Sequence, residues 1–245
     1  MENRMNDLVI LLTGTITPNS LSNLTIKDPA IRRQQYYDAL KFYIENTKFR
    51  IVFAENSNDA LENFPLFPDR IEYLTFNSIP IQPDRGIGYK ELEIIDFAFQ
   101  NSRFIIEAKS IVKITGRLKV LNFNKLSGKF LKLVGNKSNL IYAHSFGIKN
   151  MDARCFFFTI DFWPYLKKVG RDINLRYNFE LSLWDAISQY QSIKEKKYIQ
   201  LNIPLRIDGI SGSFGNKYKH NLLLHYARLI RNHSSSIFGN KLMKE

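Results

Sequence analysis

The chain has 245 residues, 44% hydrophobic and 13% aromatic, enough to bury a large core, so intrinsic disorder is excluded. A balance of 35 Lys and Arg against 23 Asp and Glu gives a net charge of +12, which attracts polyanions such as nucleic acid, anionic lipid or a phosphorylated small molecule. The single cysteine, Cys155, rules out an internal disulfide and fits a reducing compartment, and no stretch approaches the ~20 apolar residues of a spanning helix.

The first element, "DLVILLTGTI" (7–16), reads as a buried strand ending in small polar residues, and resembles a first core strand more than a signal peptide. "DPAIRRQQYYDALKFYIENT" (28–47) has helical spacing at Ile31, Tyr36, Leu40 and Tyr43/Ile44, with Asp28 as cap and Pro29 in the first helical position. Strands follow at 49–58 and 70–77, so the chain opens β-α-β-β, the start of a nucleotide-binding α/β domain. "QPDRGIGYKELEIIDFAFQNS" (82–102) is a glycine-punctuated loop feeding a helix with Leu92, Ile95 and Phe99 on one face, and "IVKITGRLKV" (111–120) is the strand after it. "ARCFFFTI" (153–160) predicts a strand that buries Cys155, and 178–190 predicts an amphipathic helix with Leu181, Trp184 and Ile187 on a common face. A strand and Gly/Ser loop fill 203–218, and a helix is expected at 220–232. No repeat or low-complexity linker divides the chain, which is expected to form one domain.

The four histidines, His144, His220, His225 and His233, lack zinc-site spacing, and Cys155 has no partner cysteine. Neither a P-loop nor a dinucleotide G-x-G-x-x-G is present, which weakens kinase and dehydrogenase readings. Five strand ends and loops remain that suit a diphosphate: "TGT" (13–15), "ENS" (55–57), "RGIGYKE" (85–91), "KITGR" (113–117) and "GISGS" (209–213). Backbone N–H groups of Gly-rich turns beside a guanidinium or ammonium supply what phosphate oxygens need.

The succession "ILLTGTI", "FRIVFAENSN", "RGIGYKELEII", "KITGRLKVLN", "FELSLWDAI" and "GISGSFGNKY" resembles bacterial GT-A-type glycosyltransferases of capsule, O-antigen and lipopolysaccharide biosynthesis, over residues 8 to about 218. The resemblance implies an α/β fold, a single domain with a mostly parallel mixed central sheet flanked by helices. It further implies a nucleotide-sugar-binding half over 1–125, an acceptor and catalytic half over 126–218, and a basic C-terminal helix and tail over 219–245.

In many such enzymes a strand in the place of "KITGR" ends in Asp-x-Asp, whose carboxylates hold Mn²⁺ or Mg²⁺ against the donor diphosphate. Here the corner is Thr115-Gly116-Arg117, so the resemblance implies a cation in place of a metal ligand and no essential metal. It assigns Thr13, Gly14 and Thr15 with Glu55, Asn56 and Ser57 to the nucleoside. Arg85, Gly88, Lys90, Glu91 and Lys113 fall beside the donor phosphates, although Lys113 alternates to the sheet face opposite Ile114 and also reads as structural. Ser211, Gly212 and Ser213 form an acceptor or phosphate loop. An inverting transfer needs a carboxylate to take the acceptor hydroxyl proton. Glu180, at the start of its helix, is the first candidate, with Asp152 and Asp185 as runners-up.

The expected partners are a nucleotide-sugar donor and a glycan or polyprenyl-diphosphate-linked acceptor, with no nucleic acid. Lys217, Lys219, Arg228, Arg231, Lys241 and Lys244 form a basic end suited to an anionic membrane, so the protein is expected in the cytoplasm, peripheral on the inner membrane face. Two alternatives stay open: a nucleic-acid-binding protein and a catalytically inactive scaffold of the same fold.

Overall fold

Seven strands line up in the order β3-β2-β1-β4-β7-β6-β8. The computed structural model describes residues 7–18, 24–59, 64, 67–135, 139–146, 149–193, 195–210 and 215–218. Its first half comprises β1 (Leu8–Gly14), α1 (Pro29–Asn46), β2 (Arg50–Glu55), β3 (Ile71–Thr75), α2 (Ile87–Asn101), the short α3 (Arg103–Glu107) and β4 (Ser110–Thr115). The second half comprises β5 (Lys119–Val120), α4 (Phe123–Val134), β6 (Leu140–Ala143), β7 (Cys155–Thr159), α5 (Trp163–Gly170), α6 (Phe179–Gln191), β8 (Lys197–Gln200) and β9 (Ile207–Asp208). Only β7 runs against the other six strands of the large sheet. The described residues form a single α/β domain with a mixed, mostly parallel sheet.

Strict alternation along the strands splits the core in two. Val9, Leu11, Val52, Ile111, Phe156 and Phe158 face the layer of α2, α5 and α6. Leu8, Ile10, Leu12, Phe53, Ile114 and Phe157 face that of α1 and α4. Cys155 is a fully buried member of the second core. All seven residues of β1 are buried, as a strand covered on both faces requires.

Helix α1 starts where the sequence signals place it. The Asp28 carboxylate accepts from the N–H of Ala30 (2.8 Å) and Ile31 (3.4 Å), and Pro29 opens the first turn. Such a cap is worth about 1 kcal/mol. Its buried face is the expected one at Tyr36, Leu40 and Tyr43. It departs only in the first turn, where Ile31 is 51% exposed and Arg32 beside it is buried instead. In α6 Ile187 is buried as expected, beside Phe179, Leu183, Ala186 and Tyr190, while Leu181 and Trp184 are only half-buried. The predicted strand at 203–218 shrinks to β9, which pairs with β5 in a separate two-stranded ribbon. The expected helix at 220–232 lies outside the described residues.

Crossover helices leave β1 and reach β4 on opposite faces of the sheet. The chain passes from β1 through α1 to β2 on one side, and from β3 through α2 to β4 on the other. The carboxyl ends of β1 and β4 are therefore a topological switch point, where a crevice opens in an open α/β sheet. No helix among the described residues is long and apolar enough to cross a membrane.

Candidate active site

A cleft of about 700 Å³ occupies that switch point. Its floor is made by Thr13, Gly14 and Thr15 at the end of β1 and by Thr115 and Arg117 at the end of β4. The two strand ends touch closely. The Gly116 N–H donates to the Thr13 carbonyl at 2.8 Å, and a Cβ on Gly116 would stand 2.7 Å from the same oxygen. Glycine at 116 is thus required by the close backbone approach, and its N–H is already engaged within the protein.

One wall comes from α2 and α6. Gly88, Lys90 and Glu91 in the first turns of α2 line the cleft, as do Phe179 and Glu180 at the start of α6. The two helix starts are in contact, since a Cβ on Gly88 would lie 3.0 Å from the Phe179 nitrogen. Below them Lys113, with a side chain 0% exposed, forms an ion pair with Glu91. Its ammonium also donates to the Ala153 carbonyl (2.7 Å) and lies 5.5 Å from the Phe179 ring centre. The Thr13 hydroxyl donates to the same Glu91 oxygen at 3.1 Å.

Glu180 makes no ion pair among the described residues. Burial pushes its carboxyl above the ordinary range, its own backbone N–H pulls it down, and the charge of Glu91 adds to the rise. Lys113 opposes that rise and Asp152 supports it. A carboxylate held this way is a stronger base than one in water.

The opposite wall comes from α1. Arg32 is 4% exposed, donates through Nε to the Thr15 carbonyl (2.7 Å) and through Nη1 to the Ile26 carbonyl (3.2 Å), and meets the Tyr36 hydroxyl at 3.2 Å. Arg117 Nη1 is buried and has no hydrogen-bond partner among the described residues. Neither arginine has an ion-pair partner among the described residues. Burial lowers the Arg117 pKa, Tyr36 offsets this in part, and the nearby positive charge of Arg32 lowers it further.

The reversed direction of β7 completes the site. Because β7 runs antiparallel to β4, with Cys155 opposite Ile114, the residues before β7 reach the cleft, and not those after it. Asp152, Ala153 and Arg154 line it. Asp152 is not free for proton transfer. Its buried carboxylate accepts from Arg154 Nε (2.8 Å), Nη2 (2.7 Å) and N–H (3.1 Å). Arg154 lies over the rings of Tyr218 (5.0 Å) and Phe146 (5.6 Å), both of which line the cleft.

The structure thus gathers Thr13, Gly14, Thr15, Gly88, Lys90, Glu91, Thr115, Arg117, Asp152 and Glu180 around one cavity, with Lys113 and Gly116 packed beneath it. Others lie apart. Arg85 donates to the carbonyls of Ile173 (2.8 Å) and Arg171 and stacks on Tyr89, outside the cleft. Asp185 accepts from the Tyr177 hydroxyl (2.7 Å) and does not line the cavity. Glu55 is fully buried and accepts from the Ser57 N–H and hydroxyl, bracing a turn. Asn56 accepts from the Thr15 hydroxyl (2.6 Å), so "ENS" supports the floor without lining it. Ser211, Gly212 and Ser213 lie outside the described residues. Arg32, Tyr36, Arg154 and Tyr218 line the cavity and carry no sequence motif.

Among the described residues no group of three or more His, Cys, Asp or Glu is arranged to hold a metal ion. Of the three acids at the cleft, Glu91 and Asp152 are already bound to Lys113 and Arg154. Glu180 is the one acid of the three without an ion pair among the described residues.

No known protein family and no curated protein matches the sequence. Among solved structures, the chain is similar to a glycosyltransferase involved in glycosylation of the major capsid of PBCV-1, with TM-score 0.47 and 13% identity over 79% of this chain and 80% of that one. It is also similar to a protein named as a nucleotide-diphospho-sugar transferase from Desulfovibrio desulfuricans G20, with TM-score 0.49 and 10% identity over 80% and 79% of the two chains. Neither likeness assigns a role to any residue of this chain.

Proposed function

We propose that the protein is a glycosyltransferase that moves a sugar from a nucleotide-diphospho-sugar to a glycan or lipid-linked glycan of a surface polysaccharide. One observation carries it: Arg32 and Arg117, which have no ion-pair partner among the described residues, share the switch-point cleft with Glu180, a carboxyl group of raised pKa. A buried guanidinium and a partly buried one without counter-charges among the described residues are costly unless a ligand brings the anion, and a diphosphate brings two negative charges. Arg117 Nη1, which lacks a partner, is the group that donates to a phosphate oxygen.

The chemistry follows from that placement. Glu180 accepts the acceptor hydroxyl proton, the oxygen forms its bond to the sugar anomeric carbon, and the bond from that carbon to the diphosphate oxygen breaks. The electron pair leaves on the nucleoside diphosphate, whose new charge Arg117 and Arg32 stabilise, doing with guanidinium groups what a metal does elsewhere. Lys113 and Glu91 neutralise each other and fix the start of α2. Asp152 orients Arg154 and is not the base.

Thermal-shift measurements with UDP- and GDP-sugars, with EDTA or with Mn²⁺, test the donor assignment. A shift with one nucleotide sugar that is indifferent to EDTA is expected. Stabilisation by oligonucleotide alone would overturn the assignment in favour of nucleic-acid binding.

A further inference from the structure

Two braced loops at the mouth of the cleft hold aliphatic side chains out in water. Ile79 is 74% exposed, Leu175 66%, and Ile81 and Ile87 are also exposed, four of the ten exposed large apolar side chains among the described residues. They are not scattered. Ile79 and Ile81 border the same surface dent as Gly86 and Lys90, a Cβ on Gly86 would touch Leu175, and Ile87 reaches the cleft itself.

Neither loop is slack. Arg85 ties the first to the second through the carbonyls of Ile173 and Arg171, and the Gly86 N–H is capped by Asp84 (2.9 Å). In the second, the Asn174 side chain accepts from the N–H of Arg176 (2.9 Å) and Tyr177 (3.1 Å), a turn that lifts Leu175 to the tip. The exposed charged residues of that loop are Arg171 and Arg176 against Asp172, a net charge of +1. Contiguous apolar groups on a cleft rim mark an interaction site. Interleaved arginines choose its partner.

We propose that this rim docks on a bilayer containing anionic lipid, with Ile79, Ile81 and Leu175 entering the headgroup layer while Arg171 and Arg176 meet lipid phosphates. Protruding aliphatic tips flanked by cations suit a shallow, charged, deformable surface. Docking stands apart from the transferase activity; only its use, turning the cleft toward a lipid-linked acceptor, rests on that proposal.

Sedimentation of the full chain with phosphatidylcholine vesicles, with and without phosphatidylglycerol, tests it. Binding is expected only with phosphatidylglycerol and weakens in high salt. The double variant Ile79→Glu/Leu175→Glu is expected to bind roughly tenfold more weakly or worse, with an unchanged melting temperature and an unchanged response to nucleotide sugar. Equal binding by the variant, or none by the wild type, overturns the proposal. So does a self-association that the variant disperses without vesicle binding. Loss of the nucleotide-sugar response in both proteins would instead count against the transferase assignment.

Discussion

Replacing Lys113 by Met keeps most of the side-chain volume and removes one charge from beneath the cleft. Glu91 then loses its counter-ion, and the Ala153 carbonyl loses the donor at 2.7 Å. Breaking a fully buried pair costs about 3–5 kcal/mol, but Glu91 keeps 23% of its side-chain surface, and water recovers part of its solvation. A loss of about 3 kcal/mol is expected, which in a chain of this size is roughly 6–12 °C in melting temperature. Adding Glu91→Gln removes the stranded charge, so the double variant should regain about 2 kcal/mol, leaving the carbonyl as the residual cost. Urea unfolding of the wild type, both single variants and the double variant gives the coupling directly. A single-variant loss under about 1 kcal/mol, with no recovery in the double, would mean that the pair behaves as a surface ion pair and that the site has no buried electrostatic floor.

Glu180→Gln should retain the nucleotide-sugar thermal shift while transfer falls by about 10²–10⁴-fold; unimpaired transfer would identify another base. A raised carboxyl pKa stabilises the fold below the unfolded value, and that contribution is lost as pH rises through the folded value. The variant should therefore match the wild type in acid and equal or exceed its stability at neutral pH, while wild-type transfer declines as pH falls through the raised pKa. Arg117→Met should unfold at the same temperature as the wild type or higher, because a buried guanidinium nitrogen without a partner is removed, and should lose the shift produced by nucleoside diphosphate. Gly116→Ala places a methyl group 2.7 Å from the Thr13 carbonyl and should cost about 1–3 kcal/mol in urea unfolding even without ligand.

Some of this architecture could be read directly. Strands β1, β2, β3 and β4 are short apolar runs bounded by polar corners, and Asp28-Pro29 announces α1. Helix α4 was equally within reach, since Phe123, Leu126 and Phe130 recur at helical spacing. The site was harder for two physical reasons. Arg32 is buried in the first turn of α1, where Ile31 beside it is the more apolar residue and the one expected inside. Asp152 and Arg154 reach the cleft only because β7 is antiparallel. Strand direction is settled by pairing between segments far apart in the chain, and hydrophobic pattern carries no record of it. The same ignorance of three-dimensional neighbours left Asp152 as a candidate base, when its bidentate partner lies two residues away.

The two walls of the cleft belong to different layers of the molecule. Arg32 and Tyr36 ride on the helix layer packed against one face of the sheet, and Glu91 and Glu180 on the layer packed against the other, with no shared core between them. A change in one core can shift the anion-holding wall while leaving the wall that bears the carboxylates unmoved, and the reverse holds as well. In the proposed transfer, this separation puts the groups that hold the leaving group and the group that activates the nucleophile in separately packed layers on either face of one sheet.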